Sequence, residues 1–346
     1  ILPDGYKGKI TYFYNYRQWM YKGAFDIEAD DTGICYSRAE IADRGVYRYD
    51  DVIVGDFYCK NSKNYGFVLP CEATKYLDNV NHRCIGLVFY TDQHGNDVDQ
   101  FEPSYNYSET GIGGDCCHGY VLALTDVQND PDNMFEWELN NSYDPFEEGN
   151  NQGWLNVNRG SEDWGGYFNT LKILKTCEDN EWYKNQYPAA YAAYYYGNLV
   201  SGTVKIEGVN KNILFNNREE WEEMPSAAVQ DETNSYAWQE PLEAPENTSG
   251  WYLPGNGMLI ELWQYESLFK QRYEEIKLKL DDDPPYKEHI GWMRYHTSWR
   301  GDPYYWSSTE SDYYPDRALS HEYSQQNYTY PSLKSKAFAV RAVLAY

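Results

Sequence analysis

Cys116-Cys117-His118 sets two thiols beside an imidazole, the residue types of a thiolate nucleophile and its base. Side chains adjacent in sequence seldom converge into a working dyad, so a disulfide or a buried thiol is the expected role. The other cysteines are Cys35, Cys59, Cys71, Cys84 and Cys177. No two form C-x-x-C and the histidines have no zinc-ligand spacing, so no metal is expected. Seven is an odd count, which leaves at least one thiol unpaired. One or two disulfides among the rest would fit an exported protein. With 54 Asp plus Glu, carboxylate pairs arise everywhere by chance, so an opposed glycosidase pair carries no signal. No G-x-S-x-G elbow occurs. Gly111-Ile112-Gly113-Gly114-Asp115 lacks the lysine and the following helix of a phosphate loop and reads as a turn. Glu102-Pro103-Ser104 and Glu240-Pro241-Leu242 lack the third ligand of a calcium loop. Asp281-Asp282-Asp283 lacks ligands at alternating positions and reads as a solvated helix end. The expectation is a protein that is not an enzyme, with no catalytic residue, cofactor or metal.

Binding chemistry is better represented. Of 346 residues, 37 are Tyr, and 18% are aromatic. A buried phenol needs a hydrogen-bond partner, so many of these rings should lie half exposed. Tyrosine offers a large rigid contact area at low entropic cost, as antibody paratopes show. Strand propensity accounts for part of the excess. The net charge of −25 repels phosphates, which argues against nucleic acid and against anionic lipid. No run approaches the about 18 apolar residues of a membrane span. No signal peptide is visible, and the chain starts at Ile1 as a processed form would, with any export signal or lipid anchor upstream.

The elements that would position these residues are legible in outline. Lys9–Tyr16, Val52–Tyr58, Cys84–Tyr90 and Gly119–Thr125 read as strands, the last two pairing across a polar insertion from Thr91 to Asp115. Residues 126–166 read as long surface loops. Asn169–Thr176 and Pro188–Tyr194 read as short helices, the second with proline in its first turn and Gly197 at its end. Residues 210–249 form an acidic loop region. Leu259, Leu262, Trp263, Phe269, Tyr273, Ile276 and Leu280 suit one face of a single helix from Met258 to Leu280, broken by Asp281–Pro285. From Gly291 onward, short strands alternate with loops.

Trp251-Tyr252-Leu253-Pro254 precedes that helix, followed in order by Tyr305-Trp306-Ser307-Ser308-Thr309-Glu310, Ala318 and Val340-Arg341-Ala342-Val343. This succession resembles the C-terminal C-type-lectin-like domain of many secreted and lipid-anchored Bacteroidetes proteins. Upstream, Val54–Tyr58, Cys84–Tyr90 and His118–Leu124 look like the same group. The resemblance implies an α+β chain: a β-rich N-terminal extension over 1–50, then a C-type-lectin-like (formylglycine-generating-enzyme-like) domain with long loops over 51–346. The tail 291–346 is similar to that of variable proteins diversified by retroelements, in which adenine-rich codons drift among Asn, Tyr, Ser, Asp and His on a fixed scaffold. Formylglycine-type chemistry needs reactive thiols in the catalytic lobe, and no cysteine follows Cys177.

The expected contact wall comprises Tyr295, His296, Ser298, Arg300, Asp302, Tyr304, Tyr313, Tyr314, Asp316, His321, Tyr323, Asn327 and Tyr328. Their rings, hydroxyls and one guanidinium would face outward to hold a protein or glycan at the cell surface. Trp251, Trp292, Trp299 and Trp306 are expected in the core, with Val340, Val343 and Leu344 as anchors, and Arg341 is expected to pair with a buried carboxylate. The competing expectation is a surface glycan-binding protein using clefts among the Trp-rich loops near Trp154 and Trp164; the leading one is an adhesin or pilus-tip-like display protein.

Overall fold

The computed structural model of this chain describes residues 7–16, 19–28, 52–72, 77, 83–91, 106–114, 117–127, 134–138, 155, 157–176, 187–196, 200–206, 209–215, 242–280, 287–293, 304–323 and 328–346. For 7–16, 19–28, 200–206 and 209–215 the description is of backbone alone.

β-branched and aromatic residues make Lys7–Tyr16 (β1) a strand, as the sequence predicts, and it pairs antiparallel with Trp19–Glu28 (β2). The next predicted strand is displaced. Residues 52–56 form a turn, and the strand is Phe57–Lys60 (β3). Asp56 is the cause: its carboxylate accepts the Ile53 N–H at 3.0 Å, while Gly55 takes φ +92°, which a glycine adopts freely. Gly66–Leu69 (β4) follows, then Arg83–Thr91 (β5) and Gly119–Ala123 (β6), which do pair across the polar insertion. Gly111–Gly114 forms turns, with Gly113 at φ +69°.

Residues 126–166 depart from the expected surface loops where they are described. Phe135–Glu136 (β7) is a short strand, and Trp137, Val157 and Trp164 are buried. These core contacts arrive singly, so no apolar period marks them in the sequence. Gly166–Lys175 (α1) and Pro188–Tyr194 (α2) are the two short helices, the second with proline at its start; Gly197 lies outside the described residues. Val200–Ile206 (β8) and Val209–Phe215 (β9) form an antiparallel pair, replacing the start of the expected acidic loop by a strand.

Trp251–Tyr252 (β10) leads into two helices rather than one, Asn256–Trp263 (α3) and Glu266–Lys279 (α4). At the break, the Gln264 and Tyr265 N–H groups bond to carbonyls three residues back, tightening the turn. The two helices serve different layers. Helix α4 packs on β5 through Phe269, Tyr273 and Ile276, whereas α3 packs on the strands Tyr304–Glu310 (β11) and Arg317–Glu322 (β12). A straight helix could not face both. Tyr328–Leu333 (β13), Ala337–Phe338 (β14) and Val343–Ala345 (β15) complete the tail.

Sequence-distant strands meet in a six-stranded antiparallel sheet ordered β10-β15-β6-β5-β3-β4. The last strand of the chain thus sits beside β6, with Val343 opposite Leu122. A second sheet, β11-β12-β13, carries the tail, and β14 pairs with β7. One hydrophobic core runs from Val52 to Tyr346. It includes Trp251, Trp292, Trp306, Val340, Val343 and Leu344, all buried as expected; Trp299 lies outside the described residues. Arg341 is buried too, and its Nε donates to Asp126 Oδ1 at 2.7 Å, the carboxylate partner the sequence calls for. Its other nitrogens donate to the Ala123 and Gly291 carbonyls, each at 3.0 Å, which ties the end of the chain to β6. The four described cysteines, Cys59, Cys71, Cys84 and Cys117, are buried thiols, so none of the expected disulfides lies among the described residues.

Candidate binding surface

The motif Tyr305-Trp306-Ser307-Ser308-Thr309-Glu310 occupies β11, and each polar side chain in it is spent inside the protein. Trp306 donates its indole N–H to the Phe135 carbonyl at 2.7 Å. Ser307 donates to the Leu319 carbonyl at 2.7 Å and Ser308 to the Pro254 carbonyl at 3.2 Å. Thr309 donates to Asp163 Oδ2 at 2.6 Å, and the same carboxylate accepts from Asn169, Asn158 and the Gly165 N–H. Glu310, fully buried, holds Lys334 Nζ at 2.7 Å. Lys334 also lies over the Trp137 ring, 4.6 Å from its centroid. Buried polar groups persist only when paired, so this network specifies one seating of β11 against α1, α3 and β7.

That seating decides which tail residues reach water. Cross-strand partners in β11-β12-β13 share a face, so Tyr304, Glu322 and Tyr328 form one row, and Trp306, Ser320 and Tyr330 the next. The opposite face carries Tyr305, His321 and Thr329, and it turns toward α3, where Thr329 donates to Asn256 Oδ1 at 3.3 Å. His321 and Tyr323 are therefore corrections to the expected outward wall. His321 is 0% exposed and Tyr323 3%, with the Tyr323 hydroxyl donating to the Leu259 carbonyl at 2.8 Å. Its ring meets Trp292 and Tyr305 edge-on, and burial pushes its phenol well above the ordinary range. Strand alternation sends these two inward; residue type alone could not say so.

Of the other expected contacts, Tyr313, Tyr314 and Tyr328 are exposed, and Tyr304 and Asp316 are partly exposed. Tyr295, His296, Ser298, Arg300, Asp302 and Asn327 lie outside the described residues. Tyr330, the end of the Tyr295–Tyr330 stretch expected to supply the wall though not singled out as a contact, is exposed as well. Its period-two spacing from Tyr328 on a strand was the available signal.

Seven large apolar or aromatic side chains are exposed among the described residues, and five belong to this sheet: Tyr313, Tyr314, Tyr328, Tyr330 and Leu333. They form two patches. Tyr313 and Tyr314 sit in the β11–β12 turn, where Ser311 Oγ accepts both of their N–H groups at 3.3 Å. Arg317 stacks on Tyr314 at 4.8 Å and donates to the Pro331 carbonyl. Tyr304, Tyr328 and Tyr330 cluster at the other end of the sheet, about 17 Å away by ordinary strand rise. Tyr330 lies 5.9 Å from both other rings, centroid to centroid, and Tyr304 stacks on Phe338 at 5.0 Å. Edge strand β13 carries Pro331, which has no N–H to offer an added strand.

Two other features belong to the framework. Trp164 is buried against Tyr90 and Tyr120, at 5.0 and 5.8 Å, so it is a core residue and not a ligand platform; Trp154 lies outside the described residues. Asp56, Cys71 and Glu72 bring three potential ligand atoms within 4.8 Å of one another. Both Asp56 oxygens already accept backbone N–H groups, from Ile53 at 3.0 Å and Cys71 at 2.9 Å, and Cys71 Sγ donates to Glu72. The cluster braces the turn before β3. No helix among the described residues is long and apolar enough to cross a membrane. No family model, curated protein or solved structure matches this chain.

Proposed function

We propose that this chain is an exported, cell-surface ligand-binding protein of adhesin type. Its scaffold is read as C-type-lectin-like, and its contact surface as the tyrosine-bearing outer side of β11-β12-β13 and the turn between β11 and β12. The single supporting observation is the gathering of five of the seven exposed large side chains on one small sheet that is fastened from behind by a buried polar network. Surfaces of that kind mark interaction sites, and a rigid support lowers the entropic cost of binding. Binding of the purified chain to arrays of glycans and of peptides tests this. The pairs Tyr313→Ser/Tyr314→Ser and Tyr328→Ser/Tyr330→Ser should each fold, and at least one should abolish capture. Full capture by both pairs would remove the proposal.

Diversification of the tail belongs to the same proposal. The tolerated positions would be the exposed Tyr313, Tyr314 and Tyr328, while Trp306, Ser307, Ser308, Ala318, Val340 and Arg341, all buried, would stay constant. His321 and Tyr323, buried in the same way, would stay constant too. Sequences of this gene from related strains check it: substitutions spread evenly over buried and exposed tail positions would count against diversification.

A further inference from the structure

We propose that the outer face of β11-β12-β13 holds a subsite for an alkylammonium cation, namely the lysine side chain of a basic partner protein. The assignment deepens the ligand-binding role above and rests on it. Glu322 lies at the centre of the row Tyr304–Glu322–Tyr328, so a tyrosine flanks it on each side across the sheet. Tyr330, one row along, touches both of those rings. Glu322 is only 7% exposed, yet no lysine or arginine pairs with it among the described residues. Among the described residues its one side-chain hydrogen bond is from the Tyr304 hydroxyl to Oε2 at 3.2 Å, and no donor reaches Oε1. Of the other buried carboxylates described, Glu310 holds Lys334 and Asp126 holds Arg341, while Asp56 and Asp163 each accept at least two N–H or O–H donors. Glu322 has a single such donor among the described residues, and it shares a face of the sheet with the exposed Tyr328 and Tyr330.

Three clustered tyrosine rings beside one carboxylate with no paired cation among the described residues are the chemistry that receives an ammonium group, by cation–π attraction and a charge-assisted hydrogen bond. The net charge of −25 would draw a basic partner from a distance. Pro331 on the edge strand argues against recognition by strand addition, so a side chain, rather than a backbone, is what this face receives.

The full chain is titrated onto a surface bearing a lysine-containing peptide, with the same peptide carrying norleucine as control, and with tetramethylammonium chloride or sodium chloride as competitor. Saturable capture should occur on the lysine peptide alone and weaken at least ten-fold in Glu322→Gln, which keeps an acceptor for the Tyr304 hydroxyl. Tyr328→Ala should weaken it similarly, Tyr328→Phe should retain it, and Leu278→Ala, at an exposed position of α4 away from the sheet, should leave it unchanged. Tetramethylammonium should compete at concentrations where sodium does not. If free tetramethylammonium binds but the peptide does not, the lysine of a partner is the wrong source and the proposal fails. Equal capture by wild type and Glu322→Gln, in variants with native melting curves, overturns it as well. Should the peptide fail while either tyrosine pair still loses ligands on the arrays, only the cation subsite falls; full capture by both pairs removes the binding surface too.

Discussion

Lys334→Met removes the cation beneath the tyrosine sheet without altering the sheet's exposed face. Among the described residues, Glu310 would then keep only the Leu155 N–H, which reaches its two oxygens at 3.0 and 3.1 Å. At the observed 2.7 Å, an effective dielectric near 20 gives a gross attraction of about 6 kcal/mol. Desolvation of both ions offsets much of this, so the pair itself is worth far less, but stranding one partner costs about 3–5 kcal/mol. For a chain of 346 residues that corresponds to a fall in Tm of roughly 4–7 °C. Glu310→Gln should cost less, because Lys334 retains the partly exposed Glu138 at 3.8 Å and the Trp137 ring. The double variant should be more stable than the sum of the single losses predicts, with a coupling of about 2 kcal/mol. Urea unfolding of the four proteins measures this. A Lys334→Met loss below about 1 kcal/mol, or a larger loss for Glu310→Gln, would refute the view that this ion pair braces β11.

Buried phenols make the protein alkali-sensitive. Burial raises Tyr120, Tyr196, Tyr252, Tyr273 and Tyr323 above the ordinary 10.0, so their stabilising contribution is intact below that pH and is lost as pH climbs toward the folded values. Phenolate absorbance from these five should therefore rise together with loss of far-ultraviolet ellipticity, and ionisation ahead of unfolding would contradict it. Cys59 and Cys84 face each other across β3 and β5, and burial together with the neighbouring thiol pushes Cys59 up, so iodoacetamide should label neither until the protein is denatured. Mass spectrometry of tryptic peptides reads that directly, and native labelling of Cys59 would show the core open there. Gly111→Ala would drive a methyl group into the backbone carbonyl of Glu246, so it should destabilise by about 2–4 kcal/mol in urea unfolding; a neutral effect would place that loop elsewhere.

Runs of consecutive apolar residues were readable because they need no tertiary information. Cys84–Tyr90 and Gly119–Thr125 form the paired central strands. Arg341 in an apolar strand announced a buried carboxylate because an unpaired charge there would be too costly, and Asp126 is that partner. The errors fall where a local pattern admits two geometries. Val52–Tyr58 has a strand's residues, but the Asp56 carboxylate and Gly55 fold its first half into a turn. Met258–Leu280 has one continuous apolar stripe, but two layers claim its two halves. In the tail, Tyr323 and Tyr328 have the same chemistry and opposite fates, 3% and 49% exposed.

Composition and motif order determined that this chain has an apolar framework with a surplus of tyrosine near its end, and that its acidity disfavours phosphates. Those properties are sums over residues and survive ignorance of the fold. Which tyrosines face water was decided by tertiary structure alone. A strand turns each successive side chain to the opposite side; α3 packs on one side of β11-β12-β13, β7 and β14 cover Trp306 on the other, and only the edge strand's Tyr328 and Tyr330 are left exposed there.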